Sequence, residues 1–474
     1  MWERCSYYGM RALLILFMVD TIQKGGLGFG DKTAGAIYGL YCASVYLAAL
    51  PGGSIADRLL GSQRSVWYGG MIIAAGHFTL AVPTVETFFL GLLLVVLGTG
   101  LLKPNISVIV GELYPEGGAR RDAGFSIFYM GINLGALIGP LICSALGEKV
   151  NWHYGFAAAG VGMLFGLLQY KLTARHLGDA GRHPRRKDRR AGQGLDKGWY
   201  LVAAAVAGVL LMVVLGLTRV VSFNPVLLAG YATYVIVGLG AIYFAAMFAF
   251  ARLDASERKR CVVLIILLIA SAMFWSGFEQ AGSSLNLFAE RYTKRIYWLF
   301  GREFDIPAGW LQSVNPVFIV AFAPVFGALW VGLARRKLNP SIPAKFAFGL
   351  VLLGLGFLVM AGASALVLSK GQVWPTWLIL TYLFHTFGEL CLSPVGLSAV
   401  TKLAPQRFVS QMMGLWFLAT AMGNLIAGLA AGKVTESVEQ MPGQFLRIVL
   451  ITVATGLVLL VLSRPIKRLI GDIR

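Results

Sequence analysis

Ionisable side chains inside apolar stretches are the residues of this 474-residue chain whose types could do chemistry. Three are acidic and three are basic: Glu3, Arg4, Arg11, Lys103, Glu279 and Glu389. A charge within a membrane-spanning segment costs at least about 2.5 kcal/mol, so such a residue is by default a candidate for function. The alternative reading is an ion pair that holds two helices together, or a long side chain that reaches an interface.

The first apolar stretch carries several of these groups on one helix face. At about 100° per residue, Arg4, Tyr8 and Arg11 fall within about 60° of one another. An Arg guanidinium binds a carboxylate through two parallel hydrogen bonds, whereas a buried Lys is a point charge that can lose its proton. Arg11 is therefore a candidate anchor for a substrate carboxylate, and Lys103 is a candidate titrating group.

Polar and aromatic side chains accompany the charges on the same stretches: Tyr46, Asn133, Trp275, Asn315 and Trp416. Each of these also suits hydrogen bonding and packing between helices in a membrane. Prolines interrupt the stretches near the charges, since Pro104 directly follows Lys103 and Pro394 lies five residues after Glu389. Backbone groups that a proline leaves unpaired are tolerated where they face a cavity, which favours a protein with an internal cavity.

The composition excludes a soluble fold. Hydrophobic residues make up 57% of the chain and charged residues only 13%, whereas soluble domains carry about 25% charged residues. The five cysteines, an odd number without a CxxC pair, indicate neither a disulfide framework nor a metal site. The chain has no GxxxxGK[ST] phosphate-binding loop, so ATP-driven pumping by this chain alone is not favoured, and no cofactor is predicted.

Apolar runs of about 20 residues predict fourteen membrane-spanning helices. They are expected near 1–20, 33–56, 65–84, 88–111, 123–147, 152–172, 199–218, 225–250, 261–289, 308–334, 346–368, 374–401, 408–432 and 445–463. The pattern is a group of six, a group of two and a second group of six. The predicted domains are an N-terminal bundle at 1–172, a basic linker at 173–198, a two-helix insertion at 199–250 and a C-terminal bundle at 251–474.

The positive charge sets the predicted orientation. With a cytoplasmic amino terminus, the cytoplasmic loops hold 27 Lys and Arg residues and the external loops hold 11, as the positive-inside rule expects. The net charge of +19 is therefore attributed to the membrane orientation, and nucleic acid is not expected as a partner. The segment 175–197 is predicted to be a flexible cytoplasmic linker, with contact to anionic lipid as the alternative. No signal peptide is predicted.

Six motifs resemble the proton-coupled oligopeptide transporters of the major facilitator superfamily. They are WERCSYYGMRALL, PGGSIADRLLG, GTGLLKPNISVIVGELY, FSIFYMGINLGALIGP, FWSGFEQ and GELCLSPVGLS, and they extend along the whole chain. The GxxxDRxxG element, Gly53, Asp57, Arg58 and Gly61, is common to the superfamily, whereas ERxxYYGMR and FYxxINxG are specific to the peptide transporters. The resemblance implies an all-α membrane fold with two six-helix bundles and two additional helices, as in bacterial members.

The resemblance also implies a mechanism and residue roles. The two bundles would rock around a midplane cavity and expose it to each side in turn. Arg11 and Lys103 would hold the peptide carboxylate, and Glu389 the peptide ammonium. Asn133 and Asn315 would bind the peptide backbone, and the side-chain pockets would be lined by Tyr8, Tyr46, Trp275 and Trp416. Glu279 would exchange Arg11 for a proton, and Glu3, Arg4 and Lys103 would take part in coupling.

The first motif departs from the family pattern ExxER. Glu3 and Arg4 supply only its second half, because the first Glu would fall one position before Met1. Either the start lies upstream of this Met, or the protein lacks that carboxylate and proton coupling is impaired while peptide binding survives.

The leading hypothesis is a proton-driven importer of di- and tripeptides, and of peptide-like drugs, in a bacterial inner membrane. Membrane lipid is its other expected partner. A carrier of another carboxylated solute or anion is the alternative, because Arg11 and Lys103 would accept any anion. A peptide sensor and a membrane enzyme are less favoured, the latter because no nucleophile and base accompany the carboxylates.

Overall fold

The computed structural model is almost entirely helical. It describes residues 1–114, 118–184, 200, 202, 204, 207–208, 215–216, 224–299, 301–434 and 437–470. The predicted span at 199–218 falls largely outside this part of the chain. Within it, eleven helical segments are long and apolar enough to cross a membrane.

The helices of the first half follow the predicted runs closely. They are α1 (Trp2–Val19), α2 (Asp31–Ile55), α3 (Ser62–Leu80), α4 (Val85–Glu112), α5 (Gly118–Lys149) and α6 (Trp152–Thr173). A single π-helical turn, Ala56–Leu60, follows α2 directly.

The second half contains nine helices and one β-hairpin in its described residues. The helices are α7 (Pro225–Phe250), α8 (Ala255–Phe278), α9 (Ser284–Tyr292), α10 (Val314–Arg335), α11 (Ile342–Lys370), α12 (Thr376–Leu403), α13 (Val409–Val434), α14 (Met441–Val461) and α15 (Ser463–Ile470). The strands are β1 (Ile296–Leu299) and β2 (Arg302–Asp305).

The chain folds into two compact units. Unit 1 comprises Met1–Phe17, Thr21–Leu27 and Ser44–Pro225, and unit 2 comprises Met18–Asp20, Gly28–Ala43 and Val226–Arg474. The first part of α2 therefore belongs to unit 2 and its second part to unit 1.

The core of unit 1 lies between α3, α4 and α6. Val66, Ile73, Leu102, Met163 and Leu167 are among its buried side chains. The backbones of α3 and α4 touch, because a Cβ atom on Gly69 would lie only 2.7 Å from the Gly98 carbonyl oxygen. Small residues permit such close approach where no hydrophobic force drives helices together in lipid.

Unit 2 packs α11 against α12 and α14. Phe357 on α11 and Phe445 on α14 stack with their ring centroids 6.0 Å apart. At the start of α2, Gly35 packs directly against the backbone of α13 at Gly428. Near it, the Arg291 guanidinium at the end of α9 binds the Asp31 carboxylate through two bonds of 2.6 and 2.7 Å. The pair fastens α2 to α9.

The span predicted at 261–289 is not one continuous helix. It breaks after Phe278 into a 3-10 turn, Glu279–Gly282, and resumes as α9. Gln280 donates to the Ser276 carbonyl oxygen and accepts from the Ser284 hydroxyl, at 3.2 and 2.8 Å. Side chains therefore bond to one another and to the backbone across the interruption. Hydropathy did not reveal it, because the whole segment Ala255–Tyr292 is apolar enough to qualify as one span.

The segment predicted as a flexible linker from residue 175 begins as ordered structure. Residues Ala174–Leu177 form a 3-10 turn, and the Gln63 amide at the start of α3 donates to the carbonyl oxygens of Gly178 and Ala180, at 3.1 and 2.8 Å. The Gln63 backbone N–H donates to the Gly181 carbonyl oxygen at 2.9 Å. Up to residue 184 the prediction of flexibility is wrong, because the polar backbone finds partners in unit 1. Residues 185–197 lie outside the described residues, and the predicted domain limits stay a prediction.

Candidate functional site

The acidic part of the predicted site lies in unit 2, on α12. Asn315, at the start of α10, donates its amide to Glu389 Oε2 at 3.3 Å and to the Thr386 hydroxyl at 2.9 Å. Thr386 in turn donates to the Tyr382 carbonyl oxygen at 2.7 Å. A carboxylate has about four acceptor positions, so the single bond from Asn315 orients Glu389 and leaves acceptor capacity for a cation.

Two predicted tryptophans also belong to unit 2, with different surroundings. Trp275 on α8 contacts Phe274 and Phe278 edge to face, at centroid distances of 5.5 and 5.3 Å. Its indole N–H is buried and has no hydrogen-bond partner within the described residues, and it is thus a donor suited to a ligand. Trp416 is packed tightly against Gly396 and lies 6.2 Å from Phe346, so its contacts are those of a core residue.

Glu279 occupies the 3-10 turn between α8 and α9 and is only 3% exposed. The break in the helix places this carboxylate at an irregular part of the backbone. Irregular backbone at membrane depth is tolerated only where it is buried in protein or lines a cavity.

The basic part of the site lies in unit 1. The Lys103 ammonium on α4 lies 3.7 Å from the centroid of the Tyr46 ring on α2. The Arg11 guanidinium is buried and lies 6.0 Å from the centroid of the Tyr8 ring on the same helix. Both distances are within the range of cation–π attraction, so aromatic rings help to hold the two predicted carboxylate-binding cations.

The residues of the predicted coupling motif, Glu3 and Arg4, form an ion pair at the start of α1. Arg4 Nε lies 2.8 Å from Glu3 Oε2, and the Arg4 guanidinium is 5.8 Å from the Tyr7 ring centroid. The other Glu3 oxygen, Oε1, is buried and has no hydrogen-bond partner among the residues that the structure describes. A buried acceptor without a donor is a position where a further hydrogen-bond donor would be stabilised.

Asn133 on α5 is buried and donates to the Tyr129 carbonyl oxygen one turn earlier, at 3.0 Å. In this arrangement the Asn133 side chain is hydrogen-bonded to the backbone of its own helix. Its carbonyl oxygen and second N–H remain the groups with which it could bind a peptide backbone.

The superfamily loop motif has a clear structural basis. Asp57 and Arg58 lie in the π-helical turn after α2, and Gly61 ends it with φ of 77° and an N–H bond to the Ala56 carbonyl oxygen at 2.8 Å. Glycine suits this position because φ is positive, and because a Cβ atom would lie 2.8 Å from the Arg182 carbonyl oxygen. Gly53 lies on α2 near Pro104 of α4.

Sequence reasoning missed Thr386 and the Asp31–Arg291 pair. Thr386 precedes Glu389 by three residues, and this helical spacing was the available signal for it. No signal joined Asp31 to Arg291, since 260 residues separate them. Within the described residues, no three His, Cys, Asp or Glu side chains cluster as metal ligands.

A profile of the POT family matches residues 63–448 of the chain. The peptide transporter YePEPT of Yersinia enterocolitica is 45% identical over all of this chain and 93% of its own length. A di-/tripeptide transporter of Lactococcus lactis is 38% identical over all of this chain and 95% of its own length. The crystal structure of a peptide transporter POT in complex with sulfate superposes with a TM-score of 0.90 at 42% identity, and covers 99% of this chain and 93% of the other.

The apolar helices with buried charges define a multi-pass membrane protein. The chain belongs to the POT family. The predicted family, the major facilitator fold and the class of transporter rather than enzyme are thereby confirmed. The residue roles stay predictions.

Proposed function

We propose that the chain is a proton-coupled symporter that imports di- and tripeptides by alternating access. The observation that carries the proposal is the Glu389 carboxylate, oriented by Asn315 on a membrane-spanning helix. A carboxylate at such a position is costly, so it is by default a candidate for function. Similarity to the named peptide transporters of Yersinia and Lactococcus supports the same substrate class.

In this proposal each peptide terminus has its own partners. Glu389 binds the ammonium group, and Asn315, already bonded to it, offers its carbonyl oxygen to the peptide backbone. Arg11 and Lys103 bind the carboxylate, the former through two parallel bonds and the latter as a point charge. Recognition of the two termini and the backbone would accept many side chains, and peptide-like drugs with the same termini.

Protons are the proposed coupling ion, and no other cofactor is needed. The buried Glu279 and Glu3 Oε1, which has no hydrogen-bond partner in the described part of the chain, are the groups that support this part of the proposal. In this proposal Glu279 exchanges Arg11 for a proton, and Glu3, Arg4 and Lys103 take part in coupling.

The proposed location is a bacterial inner membrane, with both termini in the cytoplasm. The excess of Lys and Arg on that side, 27 against 11, supports the orientation.

Uptake of labelled dialanine into proteoliposomes tests the proposal. We expect accumulation above the external concentration when an inward proton gradient is imposed, and only equilibration when an ionophore collapses it. Excess unlabelled dialanine should compete, whereas N-acetyl-dialanine, which lacks the ammonium group, should not. Equal competition by the acetylated compound would favour a carrier of other carboxylated solutes. Accumulation that does not depend on the gradient would contradict proton coupling.

A further inference from the structure

An apolar cleft lies in unit 2 where α7 faces α8 and α13. Its volume is about 280 Å³, and every described residue that lines it is apolar, including Gly240, Phe244, Ile265, Ile269, Leu418 and Met422. An ordered water needs two to four polar partners, and this lining supplies no polar side chain for it. Cavities of this kind stay dry and bind apolar ligands.

The cleft opens on the surface of helices that are apolar enough to span a membrane. Val237 on α7 and Ile269 on α8 line it and are 51% and 54% exposed. Exposed apolar side chains on membrane-spanning helices contact lipid, so the ligand with access to this opening is an acyl chain.

A basic residue continues the stripe of α8 that lines the cleft, which contains Ile265 and Ile269. Arg258 precedes Ile265 by seven positions. Its Cα therefore lies about 10 Å from that of Ile265 along the helix axis and about 20° from it around the axis. Ile269 follows one turn later, also about 20° from Arg258. Arg258 is exposed. The stripe therefore runs from a cation at the start of α8 to the apolar lining.

The acidic residues near Arg258 are already engaged. Asp254 caps α8 by accepting the Glu257 N–H at 2.7 Å, and Glu257 lies 3.4 Å from the Arg407 guanidinium. Against these two acids, the turn between α7 and α8 and the first two turns of α8 carry an excess of basic residues: Arg252, Arg258, Lys259 and Arg260. The end of the cleft is therefore complementary to an anion.

We propose that this cleft binds one anionic phospholipid, with an acyl chain between α7 and α8 and the phosphate at Arg258. A phospholipid carries its charge beside the start of its acyl chains, and the stripe on α8 has the same order of polar and apolar groups. The proposal does not depend on the proposed transport function, because none of the predicted peptide-binding residues line the cleft.

Native mass spectrometry of the purified full chain tests the proposal. The protein would be mixed with phosphatidylglycerol and phosphatidylcholine of identical acyl chains, and bound lipid would be counted. We expect the protein to retain one phosphatidylglycerol molecule in preference to phosphatidylcholine. Arg258→Gln should lower the affinity for phosphatidylglycerol by about fivefold, since a basic residue at an anionic membrane surface contributes roughly 1 kcal/mol. Lys370→Gln, at the exposed end of α11 and outside the cleft lining, should not change it.

A second pair of variants tests the cleft itself. Gly240→Phe places a ring in the cavity and should abolish retention. Gly238→Phe is the matched control, because it lies on the same helix, does not line the cleft, and likewise has open space at its Cβ position. Size-exclusion chromatography would verify that each variant is folded, and Gly240→Leu would replace a variant that is not.

Three results would overturn the proposal. One is equal retention of the two lipids by the parent chain. Another is equal retention of phosphatidylglycerol by Gly240→Phe and Gly238→Phe. The third is a parent chain that retains no lipid, as expected if another part of the protein occupies the cleft.

Discussion

The acidic and the basic parts of the candidate site hold their charges by different means. In unit 2, Glu389 accepts a hydrogen bond from the Asn315 amide, which Thr386 positions in turn. In unit 1, Lys103 and Arg11 lie near the rings of Tyr46 and Tyr8. A hydrogen bond fixes the direction of a carboxylate, whereas a ring stabilises a cation with little demand on direction. The acidic part should therefore tolerate less change in geometry than the basic part.

The largest expected effect is that of Glu389→Gln. The amide has no charge to offer the peptide ammonium, and hydrogen bonds to charged groups contribute about 1.5–3 kcal/mol. Dialanine affinity, measured by competition in proteoliposomes, should fall by between about 10-fold and 100-fold, with expression unchanged. The exposed Glu439→Gln is the control. An unaltered dialanine affinity would remove Glu389 from the ammonium site.

Lys103→Gln should have the next largest effect. One of the two proposed carboxylate ligands is lost while Arg11 remains, so affinity for dialanine should fall about 10-fold. Affinity for dialanine amide, which lacks the carboxylate, should change much less. Lys370→Gln, at the exposed end of α11, serves as the control. If both ligands lost affinity equally, Lys103 would not act through the carboxylate.

Tyr46 tests whether the ring itself matters on the basic side. Tyr46→Leu removes the ring near Lys103 and should lower dialanine affinity about fivefold, in line with a cation–π contribution of roughly 1 kcal/mol. Tyr46→Phe keeps the ring and should stay within about twofold of the parent chain. Equal losses in the two variants would assign the effect to the hydroxyl group.

The smallest effect is expected for Thr386→Val. The valine is similar in shape but cannot accept the Asn315 amide, so the bond that orients Glu389 is less well defined. Affinity should fall about threefold, the lower end of what a neutral hydrogen bond contributes. Thr386→Ser keeps the hydroxyl and should restore the affinity. An affinity unchanged in Thr386→Val would contradict a role of this hydroxyl in positioning Asn315 and Glu389.

Most of the fold could be predicted from the sequence. Burying polar groups in lipid is costly, so each membrane-spanning helix is visible as a local run of apolar residues. The run predicted at 346–368 lies within α11, and that at 225–250 coincides with α7. The β-hairpin was missed, since β1 and β2 are only four residues each and stand among longer apolar runs. The break before Glu279 was missed because the segment around it is apolar enough to qualify as one span.

The candidate site could be predicted in its residues but not in its contacts. Glu389 and Lys103 are conspicuous because each is a charge in an apolar run. The partners of these charges are not, since an Asn, a Thr or a Tyr in a helix also suits ordinary packing. The proximity of Asn315 to Thr386, 71 residues apart, depends on how α10 lies against α12.

The amino-acid sequence alone determined that this chain is helical and membrane-spanning, which family it belongs to, and which charges are candidates for function. Those properties follow from composition and local order, because lipid penalises every unpaired polar group wherever it occurs along the chain. Only the tertiary structure decided that Asp31 binds Arg291, that Gln63 holds the segment after α6, and that α7 leaves a cleft beside α8. Each of these results from packing between distant segments, whose free energy depends on the shapes of the two surfaces that meet.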